Sequence, residues 1–285
     1  MAELTKFWVG SGLVAGTAVI KVAAAMGEGA MLEDSEWPHL LRTVVRRTAG
    51  LGAVKIGQIN SMAMSERLPQ SVASGELLSL GVKRAAQKIG KGSEKFAIHV
   101  KGMEQSGYAT HNATAMLLAY MTCDVGAHHN RSWAITYDLQ VGRDQVVPEK
   151  VARVIWLQNF RPMFDVLGSC RLQWVELGID RNLYVPVLEA ITGIHRSWED
   201  LEAVGNRIWN LTRMYWVREI DGFDRSWDQP SPRFYEEPPK TGATAGQITK
   251  YEDVQRLLDM YYEQRGWDAS GIPTPATLEK LNLAV

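Results

Sequence analysis

Apolar residues recur three and four positions apart along most of this chain, the spacing that gathers them on one face of an α-helix. Val82, Ala85, Ala86 and Ile89 form one such stripe, closed by Gly90. Pro38 suits the first turn of a helix whose face carries Leu40, Leu41, Val44 and Val45. Pro148 opens another, with Val151, Val154, Ile155 and Gln158 behind it. Residues 113–121 have hardly a polar face, which predicts a helix at the centre of the fold. Ser197, followed by Glu199 and Asp200, reads as an N-cap with an acidic first turn, ahead of a long stripe of Leu201, Val204, Ile208, Leu211 and Tyr215. Thr249-x-x-Glu252 reads as a capping box before Val254, Leu257, Leu258, Tyr261 and Tyr262, with Gly266 as the stop. Pro275 opens a last short helix, and only 96–100 reads as a strand. The expected fold class is all-α.

Segment 221–246 breaks the pattern. Pro230, Pro232, Pro238 and Pro239 with Gly222, Gly242 and Gly246 exclude a helix, so an irregular strap is expected there. Phe223, Trp227, Phe234 and Tyr235 would anchor it, since flexible linkers rarely carry so many aromatics.

Composition narrows the function classes. With 31 basic and 32 acidic residues the net charge is -1, and no electrostatic footprint for nucleic acid or an anionic membrane results. Two widely separated cysteines, Cys123 and Cys170, argue against a disulfide framework and for a reducing, cytoplasmic setting. The apolar run 7–25 is interrupted by Lys21 and by Gly10, Gly12 and Gly16, so a buried helix starting near Leu13 is expected rather than a membrane span.

Two short stretches could carry chemistry. Asp165-Val166-Leu167-Gly168-Ser169-Cys170 puts an acid, a glycine and a thiol into one turn. Thiolate is the natural ligand of an iron–sulfur cluster, while a single cysteine is also often a small buried residue. Cys123-Asp124-Val125-Gly126-Ala127-His128-His129-Asn130-Arg131 holds adjacent histidines. Neighbours in a helix point apart, which makes them a poor bidentate metal site. One of them could act as a general acid or base, or both could cap a helix or satisfy buried polar groups. No phosphate loop, dinucleotide fingerprint or serine nucleophile elbow is present.

Longer phrases carry a resemblance. Gly81-Val82-Lys83-Arg84-Ala85-Ala86, the run from Phe96 through Glu104, and Asp165-x-x-Gly168-x-Cys170 resemble the aldehyde ferredoxin oxidoreductase family. So do Asn210-Leu211-Thr212-Arg213, Val217-Arg218-Glu219, Arg233-Phe234-Tyr235-Glu236-Glu237-Pro238, Tyr261-Tyr262-Glu263-x-Arg265-Gly266-Trp267-Asp268 and Gly271-Ile272-Pro273-Thr274. The likeness is strong from about residue 76 onward. It implies a weakly matching helical remnant of the middle domain over 1–75 and the family's C-terminal helical domain over 76–285, which together are domains 2 and 3 of that architecture.

The resemblance also implies chemistry. In the family a tungstopterin (a bis-molybdopterin holding tungsten or molybdenum) and a four-iron–four-sulfur cluster oxidise aldehydes to carboxylic acids and pass electrons to ferredoxin. Cys170 then corresponds to the fourth cluster ligand, Asp165 with Gly168 to the pterin-binding motif, and His129 to the proton-transfer residue, with His128 as the less favoured register. Other features depart from the pattern. The β-rich pterin-binding domain and the CxxCxxxC triplet that hold the rest of the cofactors do not occur in this sequence. Val14 stands where a second pterin-binding aspartate is expected, Val125 replaces an arginine, Ser169 an aliphatic residue, and His111-Asn112-Ala113 an Asp-Pro-Arg. The expectation is therefore a C-terminal part that is inactive alone and needs a separate N-terminal, pterin-binding half. The alternatives are a tungsten benzoyl-CoA reductase-type subunit and a truncated, non-catalytic helical domain.

Overall fold

The computed structural model describes residues 77, 80–175 and 178–283; the helices expected after Phe7 and Pro38, and Val14, lie outside them. The chain divides into two compact units, one made of Met1–Ala109 with Pro230–Glu237, the other of Thr110–Gln229 with Pro238–Val285. Helices dominate the described residues, and the sheet among them is a two-stranded hairpin.

In the first unit α1 (Gly81–Ile89) buries Val82, Ala85 and Ala86 against Leu77 and Ala97, with Ile89 packed on them. Gly90 ends it in a positive-φ conformation, as its position predicts. The strand expected over 96–100 is shorter. Ser93–Phe96 is a 3-10 turn held by the Ser93 hydroxyl, which donates to the Ala86 carbonyl at 2.7 Å. Only β1 (His99–Val100) pairs, antiparallel to β2 (Met103–Glu104). Lys101 and Gly102 between them both take positive φ, the backbone that closes a two-residue hairpin.

In the second unit all eight residues of α2 (Thr114–Met121) are buried. Around it lie α3 (Ile135–Val141), α4 (Pro148–Phe160) and α8 (Tyr251–Arg265), while α4 also packs on α5 (Pro162–Val166) and α7 (Trp198–Glu219). Between α5 and α7 lies α6 (Tyr184–Thr192), and α9 (Pro275–Lys280) ends the sequence of helices. Ser197 caps α7 through a reciprocal pair with Asp200, at 3.1 and 2.9 Å.

Two helix expectations need correction. The buried stripe of α7 runs through Leu201, Gly205, Trp209 and Arg213, whereas Leu211 and Tyr215 are about half exposed. The cause is the crossing with α4, where a Cβ on Gly205 would lie 1.9 Å from the Asn159 carbonyl oxygen. Close approach at the glycine rotates the helix and turns Leu211 outward. The N-cap of α8 is Lys250, with no side-chain cap, rather than Thr249 in a capping box. Thr249 is buried and spends both its amide and its hydroxyl on the His111 carbonyl.

The 221–246 strap is irregular but not free of helix. Arg225–Asp228 forms a 3-10 turn capped by Asp224, and Arg233–Glu236 forms a single α-turn behind Pro232. Proline is compatible with a first turn, where its missing N–H has no partner to lose. Phe223 and Phe234 are buried anchors, as their aromatic character suggests.

The C-terminal phrases form an interlocked polar interior. Both Asp228 carboxylate oxygens accept from Arg213 Nη2, at 3.0 and 2.8 Å, and the Tyr262 hydroxyl donates to Asp228 at 2.8 Å. Arg265 donates to Tyr261, Asn159, Asn206 and Gln158. Trp267 Nε1 donates to Asn210 at 2.7 Å. No helix among the described residues is long and apolar enough to cross a membrane.

Candidate functional site

The histidine loop starts where α2 stops. Cys123 is fully buried, its thiol directed at the Asp124 carboxylate at 3.5 Å and the His128 carbonyl at 3.7 Å. Asp124 is held twice more, by the Val125 amide at 2.9 Å and by Trp216 Nε1, which donates to its carbonyl at 2.6 Å. His128 then caps the 3-10 turn His129–Arg131, its Nδ1 accepting from the Asn130 amide at 3.0 Å. That bond assigns the remaining proton of neutral His128 to Nε2. The two imidazoles do not point apart. Because His128 is extended and precedes a 3-10 turn, the rings stack at 5.2 Å and 5°, with Trp133 edge-on to His129 at 5.9 Å.

The thiol loop starts where α5 stops. Gly168 (φ +63) terminates the helix, and the Ser169 amide donates back to the Phe164 carbonyl at 2.8 Å. A Cβ at Gly168 would meet nothing within 4 Å, so the left-handed backbone, not crowding, selects glycine. The reversal brings Cys170 to the surface, exposed where Cys123 is buried. Asp165 stands at the other side of the turn with its side chain 69% exposed.

Three arginines join the loops. Arg131 pairs with Asp124 through Nε at 3.2 Å and with Asp165 through Nη1 at 2.5 Å. Arg171, next to Cys170, donates to Asn130 Oδ1, and Arg161 donates to the Asn130 carbonyl at 3.2 Å. His128, His129, Asp165, Gly168 and Cys170 thus belong to two loops stitched at both ends. Neither Arg161 nor Arg171 stands in a motif of the sequence, and Arg131 stands only at the end of the histidine phrase. An arginine that matters by reaching across 31 to 41 residues leaves no periodic signal.

The field in this corner is positive. Burial, then His128, Arg171 and Arg161, push the His129 pKa down to about 4. Burial and Arg131 lower His128 as well, against the opposing pull of Asp124. Arg161 is pushed down to about 10 by burial and by Arg171. Both imidazoles are neutral at pH 7; in His128 the unprotonated nitrogen is the Nδ1 already accepting from the Asn130 amide.

Among the described residues no group of three or more histidines, cysteines or acids is arranged to hold a metal ion. Cys170 is one exposed donor, which fits a single corner of a cluster and no more. Beside it lies a mostly apolar groove of about 420 Å³, lined by Val166, Leu167 and Ser169 of the turn and by Tyr184, Val187 and Ile191 of α6. Val166, Val187 and Ile191 are more than half exposed.

Residues 48–283 match the family described as aldehyde ferredoxin oxidoreductase, domains 2 and 3. The chain belongs to this family. It is 30% identical over 216 residues to the tungsten-containing aldehyde ferredoxin oxidoreductase of Thermococcus kodakarensis, covering 74% of this chain and 34% of that protein. The enzyme of the same name from Pyrococcus furiosus is 28% identical over 225 residues, 77% of this chain and 36% of that protein. The aliphatic sulfonate oxidoreductase, WOR-like subunit, of Pyrococcus furiosus is 28% identical over 223 residues, 73% of this chain and 32% of that protein. The chain thus spans about a third of the length of these relatives. The active-site complex BamBC of benzoyl coenzyme A reductase shares the fold with a TM-score of 0.63 at 20% identity, over 94% of this chain and 43% of that chain. The helical domains of an aldehyde ferredoxin oxidoreductase are therefore the architecture that positions both loops.

Proposed function

We propose that this chain is the C-terminal part of a tungstopterin and iron–sulfur oxidoreductase that converts aldehydes to carboxylic acids with ferredoxin as electron acceptor. The pterin-binding half and the other cluster thiolates would come from sequence beyond the described residues, on this or another polypeptide. What carries the reading is the exposed Cys170 sulfur, raised on the Gly168 turn and tied through Arg131 and Arg171 to the histidine loop.

Each group has a chemically suitable task. Cys170 supplies one thiolate ligand. Asp165 Oδ2 is taken by Arg131, and the exposed carboxylate retains acceptor capacity for a pterin N–H. His129, neutral at pH 7, takes the proton released as an aldehyde carbon gains an oxygen. The bound metal–pterin and cluster would supply the two-electron redox chemistry and its onward transfer. The apolar groove beside Cys170 suits burial under a pterin-binding half.

The test is co-production with a pterin-binding half carrying the cysteine triplet. Iron content and the cluster's electron paramagnetic resonance should change in Cys170→Ser, and His129→Ala should lower kcat for aldehyde oxidation by about 10²–10⁴-fold with little change in KM. Equal iron content and an identical spectrum in wild type and Cys170→Ser would refute the cluster assignment.

A further inference from the structure

We propose that Asp221 is a site of spontaneous backbone modification: its carboxyl closes on the Gly222 amide to a succinimide, which reopens to isoaspartate. Asp221-Gly222 is the single Asp-Gly step of the chain, and no Asn-Gly step occurs. The modification is independent of the oxidoreductase reading.

Ring closure needs a free carboxyl, an unoccupied amide on the next residue and no side chain shielding that amide. The turn after α7 supplies all three. Ile220 caps the helix, its amide donating to the Trp216 carbonyl at 3.0 Å, and the Phe223 amide donates to the Ile220 carbonyl at 3.2 Å. Asp221 and Gly222 are therefore the two central residues of a turn, both exposed. Gly222 has φ +67, which glycine adopts without steric cost, and nothing lies within 4 Å of where a Cβ would stand. Among the described residues the Asp221 carboxylate has no hydrogen-bond or ion-pair partner, and the Gly222 amide has no backbone acceptor. Other exposed aspartates are held. Asp180 accepts from the Asn182 amide at 2.9 Å, Asp224 from Ser226 at 2.8 Å, and Asp268 from Ser270 and Ile272 at 2.9 and 3.0 Å. Each of these is followed by a residue with a side chain, Arg181, Arg225 and Ala269.

The step balances without any co-reactant but water. The Gly222 nitrogen attacks Cγ of the protonated Asp221 carboxyl, a C–N bond forms, and the C–OH bond breaks with loss of one water. Water then adds back to either ring carbonyl. Opening at the side-chain carbonyl restores aspartate; opening at the main-chain carbonyl routes the backbone through Cβ and Cγ. That product lengthens the main chain by one carbon–carbon bond, about 1.5 Å. The insertion falls just ahead of Phe223, a buried anchor stacked on Trp227 at 6.3 Å and lying 5.2 Å from the Arg213 guanidinium carbon. Trp227 also meets Trp216 at 6.1 Å, and Trp216 Nε1 donates to the Asp124 carbonyl where the histidine loop begins. A change in this turn is thus passed to the aromatic contacts behind it.

The experiment ages the full chain in warm neutral buffer made with heavy-oxygen water. Digestion and electron-transfer fragmentation then distinguish isoaspartate from aspartate at each position. Methyl incorporation by an isoaspartate-specific protein methyltransferase counts the modified sites. Position 221 should gain heavy oxygen, and isoaspartate there should exceed that at Asp180, Asp224 and Asp268 at least tenfold. Asp221→Glu, whose longer side chain would have to close a strained six-membered ring, should accumulate neither the label nor the methyl group at that position. A synthetic peptide of residues 216–226 gives the rate without the fold. The isomerised fraction, separated by ion exchange, should differ from fresh chain in tryptophan emission, while Asp221→Glu aged in parallel should not change. A rate in the folded chain below a tenth of the peptide's, or isoaspartate spread evenly over the aspartates, overturns the proposal. Identical emission of fresh and isomerised chain overturns its link to Phe223 and Trp227.

Discussion

The Asp138 carboxylate and the Lys150 ammonium meet at 2.6 Å with neither side chain accessible to solvent. The pair closes the N-terminus of α2, which has no side-chain cap of its own. Asp138 accepts from the Ala115 and Met116 amides at 3.0 and 2.9 Å, and Lys150 also donates to Thr114 and to the Arg143 carbonyl. Removing one partner strands the other charge in the core. Lys150→Met should lower stability by about 3–5 kcal/mol in urea unfolding. Lys150→Met combined with Asp138→Asn should recover part of that loss, because the carboxylate charge goes while a side-chain acceptor remains. A single-variant loss below about 1 kcal/mol would mean that water reaches the pair.

Gly205→Ala tests the crossing of α7 and α4. By helix propensity alone the substitution should stabilise, by up to about 1 kcal/mol. The added methyl would instead stand 1.9 Å from the Asn159 carbonyl, backbone that cannot swing aside. Overpacking should win, with a net loss of about 1–3 kcal/mol and a lower Tm by calorimetry. A raised Tm would show that the two helices have room to part.

The same crossing explains how far the sequence could be read. Apolar spacing located α1, α4, α7, α8 and the buried centre at residues 113–121 because burial follows hydrophobicity there, and it named neither α3 nor α6. It misplaced the outer half of the α7 stripe because the buried face is finished by Gly205, Asn210 and Arg213, which hydrophobic periodicity does not count. The strap hid two helical turns because proline content penalises long helices, not single turns. In the candidate site Asp165, Cys170 and His129 were visible as residue types in short phrases. The arginines that join their loops were not, since Arg131–Asp165 and Arg171–Asn130 are tertiary contacts between segments with no shared pattern. The C-terminal phrases, which carry much of the family resemblance, turn out to supply Arg213, Tyr262 and Arg265 to the buried polar interior rather than to either loop.

Acid should destabilise the chain through His129. The unfolded imidazole takes up its proton near pH 6.5, whereas burial, His128, Arg171 and Arg161 hold the folded one at about 4. Between those values the unfolded state binds more protons, so stability rises with pH across the window and falls as pH drops from about 6.5 toward about 4. His129→Gln should flatten that part of the stability–pH curve, measured by urea unfolding at several pH values. Resonances of the His129 ring should titrate near 4 in wild type. A midpoint near 6.5 would mean that the ring is open to water and screened from its charged neighbours.

The contrast between the two cysteines gives a direct test of the thiol loop. Cys170 is exposed, and its sulfur makes no hydrogen bond among the described residues; Cys123 is buried against Asp124 and His128. A small alkylating reagent reaches only a thiol open to solvent, so native chain should gain one adduct, mapping to Cys170 by peptide mass analysis. In denaturant both should react, and Cys170→Ser should leave the native chain unlabelled. Alkylation should change stability by less than about 0.5 kcal/mol in urea unfolding, as expected of a surface change away from packed features. The same adduct should abolish iron uptake when the pterin-binding half is added, separating a ligand role from a structural one. Equal labelling of Cys123 in the native chain would mean that the histidine loop opens, and the stitching by Arg131 and Arg171 would then not hold the two loops together.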